Sequence, residues 1–205
     1  DDTIIYSGES LVPEEYPIEL TSGWNHIGYL SDLAMDVNDA MRLYVANPSE
    51  IIKSQYAFSM YDPRVGWLGT LDVMKPGLGY MLKVDAAATL TYPNNTVFKG
   101  AKIASEASPP IDWRNDLSQY ANNLSLIGRL DVSQTPDVTV NSEMVLGAFI
   151  NDECHGFVAP VMDSGIGYNP FFLNVSGNSG EQMIEFRLFD GMTGKSYRIE
   201  ETKPF

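Results

Sequence analysis

From Leu124 to Glu200 the chain keeps returning to one unit, a short apolar or alternating run closed by Gly, Asn, Asp or Pro. Seven such runs follow at roughly ten-residue spacing: Leu124 to Leu130, Val138 to Val140, Met144 to Ile150, Gly156 to Val161, Pro170 to Val175, Met183 to Phe189 and Tyr197 to Glu200. Runs this short with turn residues between them suit strands, not helices. Met183-Ile184-Glu185-Phe186-Arg187-Leu188 alternates cleanly, so Ile184, Phe186 and Leu188 share one face and Glu185 and Arg187 the other. This half is predicted to be a β-sandwich of immunoglobulin type.

The part before it is mixed. Ile18-Glu19-Leu20 and Trp24 to Leu30 alternate as strands, which places Trp24 in a strand and predicts it as core. Asp36 precedes Val37, Ala40, Met41 and Tyr44, the spacing of one helical face, and predicts a short helix from Asp36 to Val45. Asn47-Pro48-Ser49-Glu50 reads as a capped start, predicting a second helical turn through Ile51-Ile52-Lys53. Tyr56 to Tyr61, the turn Asp62 to Gly66 and Trp67 to Leu71 form a predicted hairpin. Gly79 to Val84 and Ala88 to Tyr92 close the unit.

The fold expected is therefore mainly β: a small mixed β/α module followed by the sandwich. Residues 1–16 read as a leader or linker, 17–106 as the first module and 107–205 as the second, with the turn-heavy stretch from Asn94 to Asp112 joining them. Both modules have to be held by packing, because Cys154 is the single cysteine and no internal disulfide can form. The start at Asp1-Asp2 without Met reads as a processed or excised end.

Lys and Arg number 13 against 27 Asp and Glu, a formal charge of −14. A field of that sign repels phosphate backbones, so nucleic acid is not an expected partner. No apolar run approaches the ~20 residues of a spanning helix, and membrane insertion is not expected either.

Two sets of residues resemble known modules. Gly23-Trp24-Asn25-His26-Ile27, the central Gly66-Trp67 and Lys75-Pro76-Gly77-Leu78-Gly79-Tyr80 resemble a "GWN…PGxGY" module of secreted multidomain bacterial proteins. Leu146 to Gly156, Phe171-Phe172-Leu173 and Phe189 to Lys195 resemble immunoglobulin-like accessory modules of Bacteroidetes-type surface proteins. The resemblance implies an extracellular or cell-surface, non-enzymatic accessory unit beside other domains of a larger bacterial protein. It also implies a further strand beyond Pro204-Phe205.

Catalytic hardware is sparse. His26 and His155 stand in no zinc spacing, and no G-x-S-x-G, P-loop or G-x-G-x-x-G occurs. Cys154 and His155 are neighbours, so in a strand they point to opposite faces and do not form a dyad. No cofactor is expected. Calcium is the one cation worth weighing, because Asp32, Asp36, Asn38 and Asp39 cluster, but they lack the spacing of a calcium loop.

Sugar binding is the most specific function the residue types suggest. Apolar faces of sugar rings stack on aromatic side chains while polar neighbours bind the hydroxyls. Tyr61, Asp62, Arg64 and Trp67 offer that mixture around one hairpin, and Trp113 with Tyr168 and Asn169 offers it in the second module. These seven residues are the candidate ligand-binding set, for a polysaccharide or surface glycan. The alternative is a structural or adhesion spacer, or a protein-docking module, with no small ligand.

Overall fold

A computed structural model describes residues 11–94, 108–133, 135, 137–178, 180 and 182–205. The boundary expected near Ala107 and most of the expected leader lie outside these residues. The protein is mainly β, as its alternation predicts.

Fifteen strands occur among the described residues. In the first half they are β1 (Ile18–Leu20), β2 (Gly23–Gly28), β3 (Met35–Asp36), β4 (Ile51–Lys53), β5 (Phe58–Asp62), β6 (Gly66–Gly69), β7 (Val73–Met74), β8 (Gly79–Val84) and β9 (Ala88–Leu90). The second half has β10 (Asn122–Gly128), β11 (Met144–Ile150), β12 (Glu153–Val158), β13 (Phe171–Gly177), β14 (Met183–Asp190) and β15 (Lys195–Pro204). The main sheet of the first half runs β2-β8-β4-β5-β6, all antiparallel, with the pairs β1-β9 and β3-β7 beside it.

The helix α1 is short, Val37–Ala40. Asp36 caps it, accepting from the Asn38 backbone N–H at 2.8 Å. The helix stops at Ala40, short of the predicted Val45. Asn38 Oδ1 accepts from Trp67 N–H at 2.6 Å and Asn38 Nδ2 donates to Trp67 O at 3.1 Å, a side-chain continuation of the β6 edge. Tyr44 turns inward, where its hydroxyl donates to Glu50 Oε2 at 2.8 Å. Asn47 Nδ2 and the Asp85 N–H also donate to the buried Glu50 carboxylate, so its polar atoms are partnered.

The second predicted helical turn is a strand. Ser49 takes a left-handed φ of 70°, which ends any helix, and β-branched Ile51-Ile52 enter the sheet between β8 and β5. Local capping signals lose here to pairing on both strand edges.

One face of the main sheet, carrying Ile27, Tyr80, Leu82, Ile52 and Trp67, builds the first hydrophobic cluster with Val37, Ala40 and Met41 of α1. The second half builds its cores on β11, whose seven residues are all buried. Met144, Leu146, Ala148 and Ile150 face a cluster shared with β13 and β14. Val145 and Phe149 face the opposite way, onto Trp113 and Cys154. Strand order there is β12-β11-β14-β15, with β10-β13 as a separate pair that meets β12 through β13. Ile184, Phe186 and Leu188 all point into the core, as their alternation predicts. Val138 and Val140, predicted as a strand, reach the same core from a loop closed by Val138 N–H to Thr135 O at 2.9 Å.

The turn between β11 and β12 uses Asn151 and Asp152 at φ 52° and 66°, the paired left-handed conformation of a tight hairpin. A bulge follows, since Ala148 pairs Gly156 and Phe149 pairs Cys154, leaving His155 as the extra residue.

The two halves touch through buried side chains. Phe58 of β5 and Phe172 of β13, both 1% exposed, meet edge to face with ring centroids 5.4 Å apart. Lys53 Nζ donates to Asn123 Oδ1 at 2.6 Å, and Arg64 Nη1 lies 3.5 Å from the Ile166 carbonyl.

Candidate functional site

The predicted aromatic platforms are largely structural. Tyr61 and Trp67 pair across the β5-β6 hairpin on the inner face, rings 5.4 Å apart, with Trp67 5% exposed inside the first core. Trp113, also 5% exposed, sits on the Phe149 ring at 5.1 Å and fills the space left by Gly147, where a Cβ would come 2.7 Å from its ring. The expectation that these indoles face a ligand is corrected: both are covered, Trp67 within the first core and Trp113 on the face of β11.

Four other predicted residues do stay near the surface and close together. Asp62 accepts from Arg64 Nε at 2.9 Å and Nη2 at 2.7 Å, and this fork holds the Asp62 carboxyl down at about 2. Arg64 reaches the loop that carries Tyr168 and Asn169, and Arg129 stacks over the Tyr168 ring at 5.1 Å. Hairpin tip and loop thus form one corner, whose charges are already partnered.

Two of the residues weighed for calcium serve the fold. Asp36 caps α1 and Asn38 is spent on Trp67, as described. Among the described residues no three His, Cys, Asp or Glu side chains converge on a point. Cys154 and His155 do not meet as a dyad, although the bulge at His155 interrupts strict alternation: the Cys154 thiol turns to Gly156 O, while His155 Nδ1 lies 2.7 Å from Ser176 O under the Tyr120 ring. Burial pushes the Cys154 thiol pKa up and removes thiolate. In the folded protein Cys154 is expected to react with a thiol reagent only as fast as the protein opens; labelling in buffer at the rate seen in urea would contradict this burial.

The open site lies on the outer face of the main sheet. Register puts Trp24, Lys83, Ile51, Met60 and Leu68 in one row across the five strands, and His26, Met81, Lys53 and Phe58 in the next. Phe58 is covered by the second half, but Trp24 at the far edge is 44% exposed. The expectation that Trp24 is core is therefore overturned. Next to it an open cleft of about 700 Å³ has β2, β4 and β8 as its floor and residues 121–123 of the second half as its wall. His26, Lys53, Gln55, Asn122 and Asn123 supply its polar groups, and Lys53 Nζ stands 5.6 Å from the centre of the Trp24 ring.

A signal for this existed in the sequence. Trp24-Asn25-His26-Ile27-Gly28-Tyr29 puts Ile27 and Tyr29 on one face and Trp24, His26 and Gly28 on the other, and the face with His26 and Gly28 is the wet one. The cleft wall could not be read that way, since Asn123 lies 70 positions from Lys53.

A second hollow, of about 380 Å³, opens between the edge strands β10 and β15 over Leu126, Phe171 and Ile199. Comparison with known proteins adds no relative: no protein-family model, no curated protein and no solved structure matches this chain.

Proposed function

We propose that this chain is a non-catalytic accessory module that binds a polysaccharide or cell-surface glycan on the outer face of its main sheet. The observation that carries the reading is Trp24, a large aromatic left 44% exposed and reached by Lys53 of a neighbouring cleft that amides and a histidine also border. An exposed indole binds the C–H face of a sugar ring, and amides such as Asn122, Asn123 and Gln55 take up its hydroxyls. Placement at the cell surface or outside a bacterium, within a larger protein, is part of this proposal and is supported by the module resemblance. So is an immunoglobulin-like second half, supported by the core that β11 and β14 share with β13.

The test is retention on insoluble polysaccharides and a glycan array. Trp24→Ala is expected to weaken binding by about 2 kcal/mol, roughly 30-fold, as for other central aromatic contacts, with an unchanged melting temperature. Unchanged retention by a folded Trp24→Ala would remove this site. Trp67→Ala, by contrast, is expected to fail through loss of fold.

A rigid structural or adhesion spacer is the second reading, favoured by the buried Phe58–Phe172 contact between the halves. It calls for no glycan on the array and a single cooperative unfolding transition.

A further inference from the structure

We propose that the ligand of the Trp24 cleft is an acidic sugar, whose carboxylate or sulfate group pairs with Lys53; this rests on the glycan reading above. In a chain with 27 acidic residues, none of the residues that line the cleft is acidic. The same holds for nearly the whole outer face of the sheet, where register places Lys53, Lys83 and His26 and only one carboxylate, Asp62, which Arg64 already holds.

Lys53 is the centre of this face. Its Nζ donates to Asn123 Oδ1 at 2.6 Å, lies 3.4 Å from Ser125 Oγ and overlooks the Trp24 ring at 5.6 Å, all neutral partners. Among the described residues no carboxylate stands within ion-pair distance of it. Burial shifts its pKa downward, the direction of an ammonium that has lost water without gaining a counter-charge. An arriving anion supplies that counter-charge, and a charge-assisted bond is stronger than a neutral one. Lys53 Nζ lies over the Trp24 ring, 5.6 Å from its centre, so one ligand that touches the indole edge and the cleft also comes within reach of the ammonium.

The net charge of −14 opposes anions at a distance. That field is screened beyond about 8 Å at physiological salt, whereas the Lys53 contact acts well inside this length. Contact therefore decides affinity, and the overall field slows arrival.

The experiment compares polygalacturonate, dextran sulfate and neutral dextran as probes for the full chain and its variants, with thermal melts to confirm folding. The wild type is expected to bind at least one acidic polymer about tenfold more tightly than dextran, with the preference reduced in about 0.5 M NaCl. Lys53→Gln is expected to lower acidic binding to the dextran level, while Lys53→Arg keeps it. Which acidic polymer binds separates carboxylate from sulfate. Equal binding of acidic and neutral polymers, or an acidic preference that survives in folded Lys53→Gln, would overturn the charge assignment; the glycan reading would still stand if Trp24→Ala abolished binding. Binding to none of the three, nor to any array glycan, would overturn both.

Discussion

Gly156→Ala is expected to cost about 3 kcal/mol or more of stability, which for a chain of this size lowers the melting temperature by roughly 6–12 °C. Gly156 lies in β12 where it crosses against β13. A Cβ there falls well inside contact distance of the Asn174 carbonyl oxygen, and it lies 3.1 Å from Asn174 C and 3.4 Å from Val175 Cα. All three neighbours are backbone, pinned by the seven-residue pairing of β13 with β10, so no flexible side chain can swing away. Relief requires the strands to part, which stretches the His155 Nδ1 contact with Ser176 O. Gly128→Ala is the control: its nearest neighbour is a Leu146 methyl at 3.4 Å, ordinary contact, and a change below about 1 kcal/mol is expected. Urea titration of both variants measures the difference, and equal midpoints would show that β12 and β13 do not approach this closely.

Truncating Phe58 should be nearly as damaging, at about 3–5 kcal/mol, the usual range for removing a buried phenylalanine ring. Phe58 is 1% exposed, yet its nearest ring neighbour is Phe172 of the other half. The loss is thus expected in the joint stability of the halves and not in one alone. A double-mutant cycle with Phe172→Ala is expected to show coupling of about 0.5–1.5 kcal/mol, the range for an aromatic pair. A Phe58→Ala cost below 1 kcal/mol without coupling would mean that the halves are not held together by this contact. Because Lys53 and Asn123 meet beside the same junction, loosening it should also widen the cleft and weaken any ligand that spans sheet and wall.

The fold was legible where local signals and distant contacts agree. Ile184, Phe186 and Leu188 needed only their period of two, and the Asp62 to Gly66 turn only its composition. Legibility failed where a distant partner outbid a local preference. The caps at Asn47 and Glu50 describe a plausible helix start, but Glu50 is buried among Tyr44, Asn47 and Asp85, and the residues after it complete a sheet. The candidate site failed for a related reason. Trp67 and Trp113 lie beside polar residues in sequence, yet burying a large ring is strongly favourable and each had a core to join.

By itself, the sequence determined that the chain forms short antiparallel strands, that packing and not disulfides holds them, and which side chains within each strand share a face. Only the tertiary structure decided which of those faces is covered. It sent Trp67 inward and left Trp24 open, and it brought residues 121–123 to the rim of a sheet made some 40–100 residues earlier. The physical reason is that alternation is local, recording who points together, whereas burial depends on what arrives from elsewhere in the chain.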